Sequence, residues 1–309
     1  PDFIIEALKE RLEHPILGYT TAYDGYWASI EGWLWRRHGW RVERDWLRYI
    51  PGIVKGIGMV LACFTRPGDK VIIQPPVYHP FRLVPEHNGR EVVCNPLRRL
   101  DNGGYAMDFE PLESITDEHC KVLILSNPHN PAGLVWDKAT LQQLADIAVK
   151  HKLLVISDEI HCDMPLWGNV HTPFATVSQA AAACSITFGA PTKTFNIAGV
   201  VSSYAIVPNE ALREKFFGYL AANELDMPTI FAMVATEAAF NKGEEWRCEM
   251  VRYIDYTVPE LGPRFYVDTL GLKTDETDPH EIEKIALSQI QMQLTETRLL
   301  KEIYPQVTD

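Results

Sequence analysis

The sequence predicts an α/β layered fold built on a largely parallel sheet, and three observations carry that expectation. From about residue 50 to 206, short apolar runs alternate with helical patterns. At 309 residues, 46% hydrophobic and 23% charged, the chain can bury a sizeable core, which suits one large domain with a smaller piece. Polar groups able to do chemistry follow directly after the apolar runs, where ligands bind in such sheets.

In chain order, PDFIIEALKERL (1–12) reads as an amphipathic helix rather than a signal peptide. GIVKGIGMVLACF (52–64) reads as a glycine-bearing helix start aimed at an anion. Six runs then read as strands: VIIQPP (71–76), REVVCNPL (90–97), KVLILSN (121–127), LLVISDE (153–159), CSITFGA (184–190) and VSSYAIV (201–207). Between the third and fourth, KATLQQLADIAVKHK repeats Leu141, Leu144, Ala145 and Ala148 at helical spacing, which makes a βαβ unit. After about Pro259 the pattern changes, and Asp278, Pro279 and Glu281 make a helix start. The boundary therefore falls between a large domain over 1–258 and a short C-terminal helical segment over 259–309.

Composition excludes several functions. A net charge of -12, with no block of lysines and arginines, repels a phosphate backbone, so no nucleic acid partner is expected. No apolar run approaches the roughly 20 residues of a membrane span, so no membrane partner is expected either. The six cysteines are scattered without a C-x-x-C pair, which fits a reducing, cytoplasmic setting. A start at Pro1 with no initiator Met reads as a processed or fragmentary chain.

The residues that follow the runs are Tyr78, Asn127 with Asn130, Asp158 and Lys193. Lys193 lies in APTKTFNIAG; a lysine beside a core strand must snorkel, pair with an acid, or serve as an amine. Each residue has a plain structural reading: the Asn and Asp as turn formers or caps, Tyr78 as loop packing, Lys193 as a surface cation. Together and in this order they supply what pyridoxal phosphate needs. Lys193 would be the Schiff-base amine, Asp158 the partner of the pyridine nitrogen, Asn130 the donor to the phenolic oxygen, and Tyr78 the stacking ring. The backbone N–H groups of Gly56 and Ile57, helped by the Thr192 hydroxyl, would cradle the phosphate.

Two rival motifs are weaker. DEIH (158–161) spells a helicase-type box, but the chain has no Gly-Lys dipeptide for the matching phosphate loop. Asp158, His161, Cys162 and Asp163 could ligate a metal, yet residues on a strand and its exit alternate faces and rarely converge, so no metal is expected.

These motifs resemble the fold-type I pyridoxal-phosphate enzymes, and among them the MalY/PatB group of cystathionine β-lyases and related carbon–sulfur lyases. The resemblance runs from PDFIIEALKERLEHPILGYT through PGIVKGIGMVLACFTRPGD, SNPHNPAGLVW, SDEIHCDM and APTKTFNIAG to about GEEW at 246. It implies a three-layer transferase-like large domain, the same roles for Lys193, Asp158, Asn130 and Tyr78, and a buried Lys193 acting as an amine. It adds His161 to the cofactor-binding residues, and Tyr19 as a catalytic residue reaching toward the cofactor of the other subunit of a homodimer.

Departures bear on activity. Class I aminotransferases of this fold carry a tyrosine three residues after the aspartate and an arginine eight after the lysine; His161 and Val201 stand there, as in the lyases. Thr192 replaces a common serine and keeps the hydroxyl. The group's usual N-terminal stretch and its C-terminal F-V-R-L-N pattern, which grips the substrate carboxylate, are missing, so the chain reads as truncated at both ends with a reduced small domain. Arg264 and Arg298 read as solvated cations. The expected function is a β-lyase that cleaves cystathionine or a cysteine S-conjugate to a thiol, pyruvate and ammonia, weakly and with poor saturation. An aminotransferase shares the early steps and differs where the proton returns. A cofactor-binding or regulatory protein with little catalysis is the reading from another class. WASIEGWLW (27–35), with more tryptophan than one helix face buries, adds to the expectation of a dimer.

Overall fold

The computed structural model describes residues 1–101 and 104–255. Helix α1 (Asp2–Glu13) and helix α2 (Asp24–His38) precede strand β1 (Leu47–Ile50) and helix α3 (Ile53–Phe64). Strand β2 (Lys70–Ile73), helix α4 (Pro80–His87) and strand β3 (Glu91–Cys94) follow, then a small ribbon of β4 (Arg98–Arg99) and β5 (Tyr105–Ala106). Helix α5 (Phe109–Ile115), β6 (Cys120–Ser126), α6 (Lys138–Lys150), β7 (Leu154–Asp158), α7 (Gln179–Ala183) and β8 (Ser185–Gly189) continue the alternation. Strand β9 (Ser203–Ile206) and helices α8 (Glu210–Ala222) and α9 (Ile230–Lys242) come last, with a further helical stretch over 244–255.

The seven-stranded sheet has the order β1-β9-β8-β7-β6-β2-β3. Pairs from β3 across to β8 are parallel, while β9 runs antiparallel to both β8 and β1. All six apolar runs are strands of this sheet, and the expected βαβ unit is β6–α6–β7. Helix α6 buries Leu141, Leu144, Ala145 and Ala148, and its N-cap Asp137 accepts from the Thr140 N–H. Strand β1 escaped the sequence reading because it is four residues long, lies at an edge, and carries the half-buried Arg48.

Both faces of the sheet are covered, which explains why its strands read as continuous apolar runs. Strand β6 sends Val122 and Ile124 into a core shared with α3 and α8, and Leu123 and Leu125 into one shared with α6. The period-two alternation of a strand thus feeds two separate cores. Gly56 lets α3 press against the first of them: a Cβ there would lie 2.7 Å from Ile50 Cδ1 and 3.1 Å from Phe188 Cζ.

A third core joins α1, α2 and α9 to β1 and β9. It corrects one expectation. Trp27 and Trp33 are buried within this chain, and Trp33 stacks on Phe240 with ring centroids 5.1 Å apart. Only Trp35 of the three stays exposed, with the Arg41 guanidinium 4.4 Å over its ring. The tryptophans are therefore accounted for without a second subunit. No helix among the described residues is long and apolar enough to cross a membrane. The segment expected over 259–309, with Asp278, Pro279, Glu281, Arg264 and Arg298, lies outside the described residues.

Candidate active site

The carboxyl ends of β2, β6, β7 and β8 open onto one cavity of about 320 Å³, lined by Tyr78, Asn130, Asp158, His161, Thr192 and Lys193. Asp158 is the last residue of β7, in register with Ser126 of β6 and Phe188 of β8, so its place is fixed from both sides. Its Oδ1 accepts from the Ile160 N–H at 3.1 Å. Burial pushes its carboxyl up to about 7, with repulsion from Glu159 adding and the Ile160 bond and Lys193 opposing. A cation beside it would pull it back to the charged form.

The loops after β2 and β6 are tied together there. The Tyr78 N–H donates to the Asn130 carbonyl at 3.1 Å, and the Asn130 N–H donates to Ser126 Oγ at 2.9 Å. The Tyr78 ring stands edge-on to His79 and Phe81, and burial, with the nearby Asp158, raises its phenol above the ordinary value. Asn127 belongs to the support instead: wholly buried, it donates to the Thr172 carbonyl at 3.0 Å.

Lys193 rides on the connection between β8 and β9. Phe195 anchors that loop, fully buried among the rings of Phe3, Trp33, Phe240 and Trp246. Thr192 and Thr194 pack inward as well, and Lys193 alone of the four faces outward at the cavity wall. The expectation of a buried lysine is corrected: it is exposed, because its neighbours rather than its own stem fill the core. Desolvation at the wall, then the Lys193 ammonium, pushes the His161 imidazole down to about 4, so it is neutral near pH 7.

The free N–H groups of α3 lie one turn before Gly56 and Ile57, the residues the sequence suggests for an anion cradle. The Gly56 N–H donates to the Gly52 carbonyl at 2.9 Å, the first bond of the α3 ladder, and Ile57 is wholly buried. Neither lines the cavity, whereas Ile53, Val54 and Lys55 do. As the first three residues of the helix they leave their N–H groups without an intrahelical acceptor. The missed signal is Gly52, whose φ of 113° at the N-cap lets the chain turn into α3.

Tyr19 is fully exposed in the extended stretch between α1 and α2, and this chain's own fold does not bring it to the cavity. Next to it, Thr20 Oγ1 donates to the Pro228 carbonyl at 3.1 Å. Cys162 and Asp163 lie on the turn after β7 rather than on the strand, so alternation does not place them; they do not line the cavity with Asp158 and His161 but meet His38, with ligand atoms within 4.8 Å of one another. That carboxylate is already engaged, by Trp33 Nε1 at 2.9 Å, His38 Nε2 at 3.1 Å and Thr194 Oγ1 at 3.4 Å. Behind β7, Glu159 accepts from Ser157 Oγ at 2.8 Å and the Phe174 N–H at 2.9 Å, and pairs with His171 at 2.9 Å. These buried acids hold the floor of the site and do not face it.

An amine, a carboxylate, an amide, an aromatic ring, a hydroxyl and a free helix N-terminus on one cavity wall are the groups pyridoxal phosphate takes, so the residues present fit that cofactor. Comparison with known proteins agrees with this class of site. The family model for aminotransferase class I and II matches residues 3–239, and the chain belongs to that family. It is 45% identical over 261 residues to cystathionine β-lyase PatB of Bacillus subtilis, covering 84% of this chain and 67% of that protein. It is 32% identical to protein MalY of Escherichia coli, covering 93% of this chain and 77% of the other. Among solved structures, the PLP-bound C-S lyase from Staphylococcus hominis superposes with a TM-score of 0.80 at 33% identity, covering 88% of this chain and 68% of that one. Cystalysin from Treponema denticola, which contains pyridoxal 5′-phosphate, gives 0.82 at 36% identity, over 88% and 69% of the two chains.

Proposed function

We propose that this protein is a pyridoxal-phosphate-dependent carbon–sulfur β-lyase that cleaves cystathionine or a cysteine S-conjugate to a thiol, pyruvate and ammonia. The observation that carries the reading is the convergence of Lys193, Asp158, Asn130, Tyr78 and Thr192 on one cavity at the carboxyl edge of the sheet. The named activity of the B. subtilis relative, at 45% identity, supports the lyase over the transferase, as does His161 on the cavity wall where class I aminotransferases carry a tyrosine.

In this reading the Lys193 amine would hold the cofactor and would also serve as the base that takes the proton from the substrate Cα. Asp158 would keep a proton on the ring nitrogen, Asn130 would donate to the phenolic oxygen, Tyr78 would cover the ring face, and Thr192 with the N–H groups of Ile53 and Val54 would hold the phosphate. His161, neutral, adds no charge to compete with Asp158. When bound, the cofactor supplies an electron sink for the bond-breaking at Cα. Loss of the Cα proton and of the Cβ–S bond releases the thiol, and hydrolysis of what remains gives pyruvate and ammonia.

Purified protein incubated with pyridoxal phosphate and L-cystathionine is expected to release thiol and pyruvate in equal amounts. Conversion of an added 2-keto acid to its amino acid, with neither thiol nor pyruvate released, would identify an aminotransferase. Cofactor binding with neither product would leave the binding or regulatory reading.

The domain division at 258/259 and the homodimer belong to the same proposal. Support for the dimer rests on Tyr19, fully exposed and flanked by the exposed Ile16 and Leu17. An exposed apolar stretch with an aromatic at its tip suits a subunit contact. Light scattering of the cofactor-loaded protein is expected to give twice the chain mass; a monomer with full activity would end Tyr19's role in a shared site. The six cysteines, all unpaired, support a reducing, cytoplasmic setting.

A further inference from the structure

Helix α3 begins with an electrostatic anomaly. A helix N-terminus carries a partial positive charge and ordinarily attracts acids to its first turn. The first turn of α3 has none, and its third residue is Lys55. Among the described residues the Lys55 ammonium has no hydrogen-bond or ion-pair partner. The side chain is exposed and lines the cavity together with Ile53 and Val54. A cation placed against the positive end of a helix, without an acid beside it, is unfavourable unless an anion occupies the space they share.

From these observations we infer that Lys55 is the cationic partner of the cofactor's phosphate. The inference rests on the pyridoxal-phosphate reading above and assigns a residue that neither the sequence motifs nor the family resemblance singled out. Cα–Cβ bonds in a helix tilt toward its N-terminus, so the Lys55 stem leads back to where the free N–H groups of the first turn point. The phosphate is close to a dianion at pH 7, more charge than the partial charge of one helix end balances. No arginine lines the cavity among the described residues; its lysines are Lys55 and Lys193, and Lys193 is committed to the cofactor's carbonyl carbon. Lys55 is therefore the formal positive charge left for the phosphate. As an ammonium on a flexible stem it acts as a point charge rather than as a bidentate fork.

The test is equilibrium binding to the full chain after removal of cofactor, followed by absorbance, for wild type, Lys55→Gln and Lys55→Arg. Pyridoxal, which lacks the phosphate, is the second probe. Lys55→Gln is expected to weaken pyridoxal phosphate binding about tenfold while leaving pyridoxal unchanged, and Lys55→Arg to restore most of the loss. The wild-type advantage should shrink as salt is raised. Equal affinity of wild type and Lys55→Gln for pyridoxal phosphate would overturn the inference while leaving the cofactor reading intact. So would unchanged cofactor affinity with a raised KM for cystathionine, which would assign Lys55 to the substrate carboxylate. Failure of wild type itself to bind pyridoxal phosphate would overturn the reading beneath it. The residue is exposed at the wall, so a folding defect in Lys55→Gln, checked by its melting curve, is not expected.

Discussion

Lys193→Ala protein is expected to fold normally, to lose turnover by on the order of 100- to 10,000-fold, and to take up no reducible cofactor label. Normal folding follows from the location of the side chain. Lys193 is exposed, while Phe195, Thr192 and Thr194 carry the packing of its loop. The loss of turnover follows because the same amine would hold the cofactor and remove the Cα proton, two tasks assigned to no other group on the wall. Borohydride reduction of the wild type followed by peptide mass mapping should put the label on the peptide containing Lys193. Lys55 is the other lysine amine in the cavity. Label found there, or persisting in Lys193→Ala with near-normal pyruvate formation, would reassign the amine and overturn the mechanism.

The second large effect is expected from Asp158→Asn, which should retain cofactor and lose turnover by on the order of 100-fold or more. The amide keeps the side-chain volume at the end of β7 but cannot balance a protonated ring nitrogen. Near-normal elimination would show that Asp158 has another task. A separate readout needs no activity at all. In the cofactor-free protein the carboxyl is raised from 3.8 to about 7, chiefly by burial. Below about pH 4 the group is protonated in folded and unfolded chains alike and has no effect. Between about 4 and 7 the unfolded chain ionises while the folded one keeps its proton, so stability falls as pH rises, by up to about 4 kcal/mol in all. Melting curves of cofactor-free wild type and Asp158→Asn should therefore diverge through this window in favour of the variant. A constant difference from pH 4 to 8 would contradict the raised carboxyl.

Much of this site is legible in the sequence, and what is not has local causes. Strands buried on both faces announce themselves as apolar runs, so Asp158, Asn130 and Lys193 could be put at strand ends by sequence alone. The direction of β9 could not, because VSSYAIV reads the same whether its neighbours run parallel or antiparallel. Gly56 and Ile57 fall a turn inside α3 because composition shows that a helix is near but not which residue starts it; that depends on the backbone of Gly52. Lys193 was expected to be buried because its neighbours are apolar, yet a loop can bury Phe195 and two threonines and leave the lysine in the open. Trp27 and Trp33 were credited to a subunit contact because one helix face was weighed without α9, which lies some 200 residues away in sequence and covers them.

The ring cluster beneath the Lys193 loop has a consequence for how the chain is made. Phe195 rests on Phe3 and Trp33 from the first helices, and on Phe240 and Trp246 from the end of the described chain. On a ribosome adding roughly 5 to 20 residues per second, Trp246 follows Lys193 by about 3 to 10 s. During that interval strand β7 with Asp158 and the loop after β6 with Asn130 have already been synthesised, but the support under the amine has not. The acid and amide walls can thus take shape on the nascent chain, while the amine wall waits for the last turn of α9 and the tryptophan beyond it. The support under Lys193 is in this sense the last part of the site to be synthesised, supplied by aromatic contacts between segments distant in sequence rather than by residues that line the cavity.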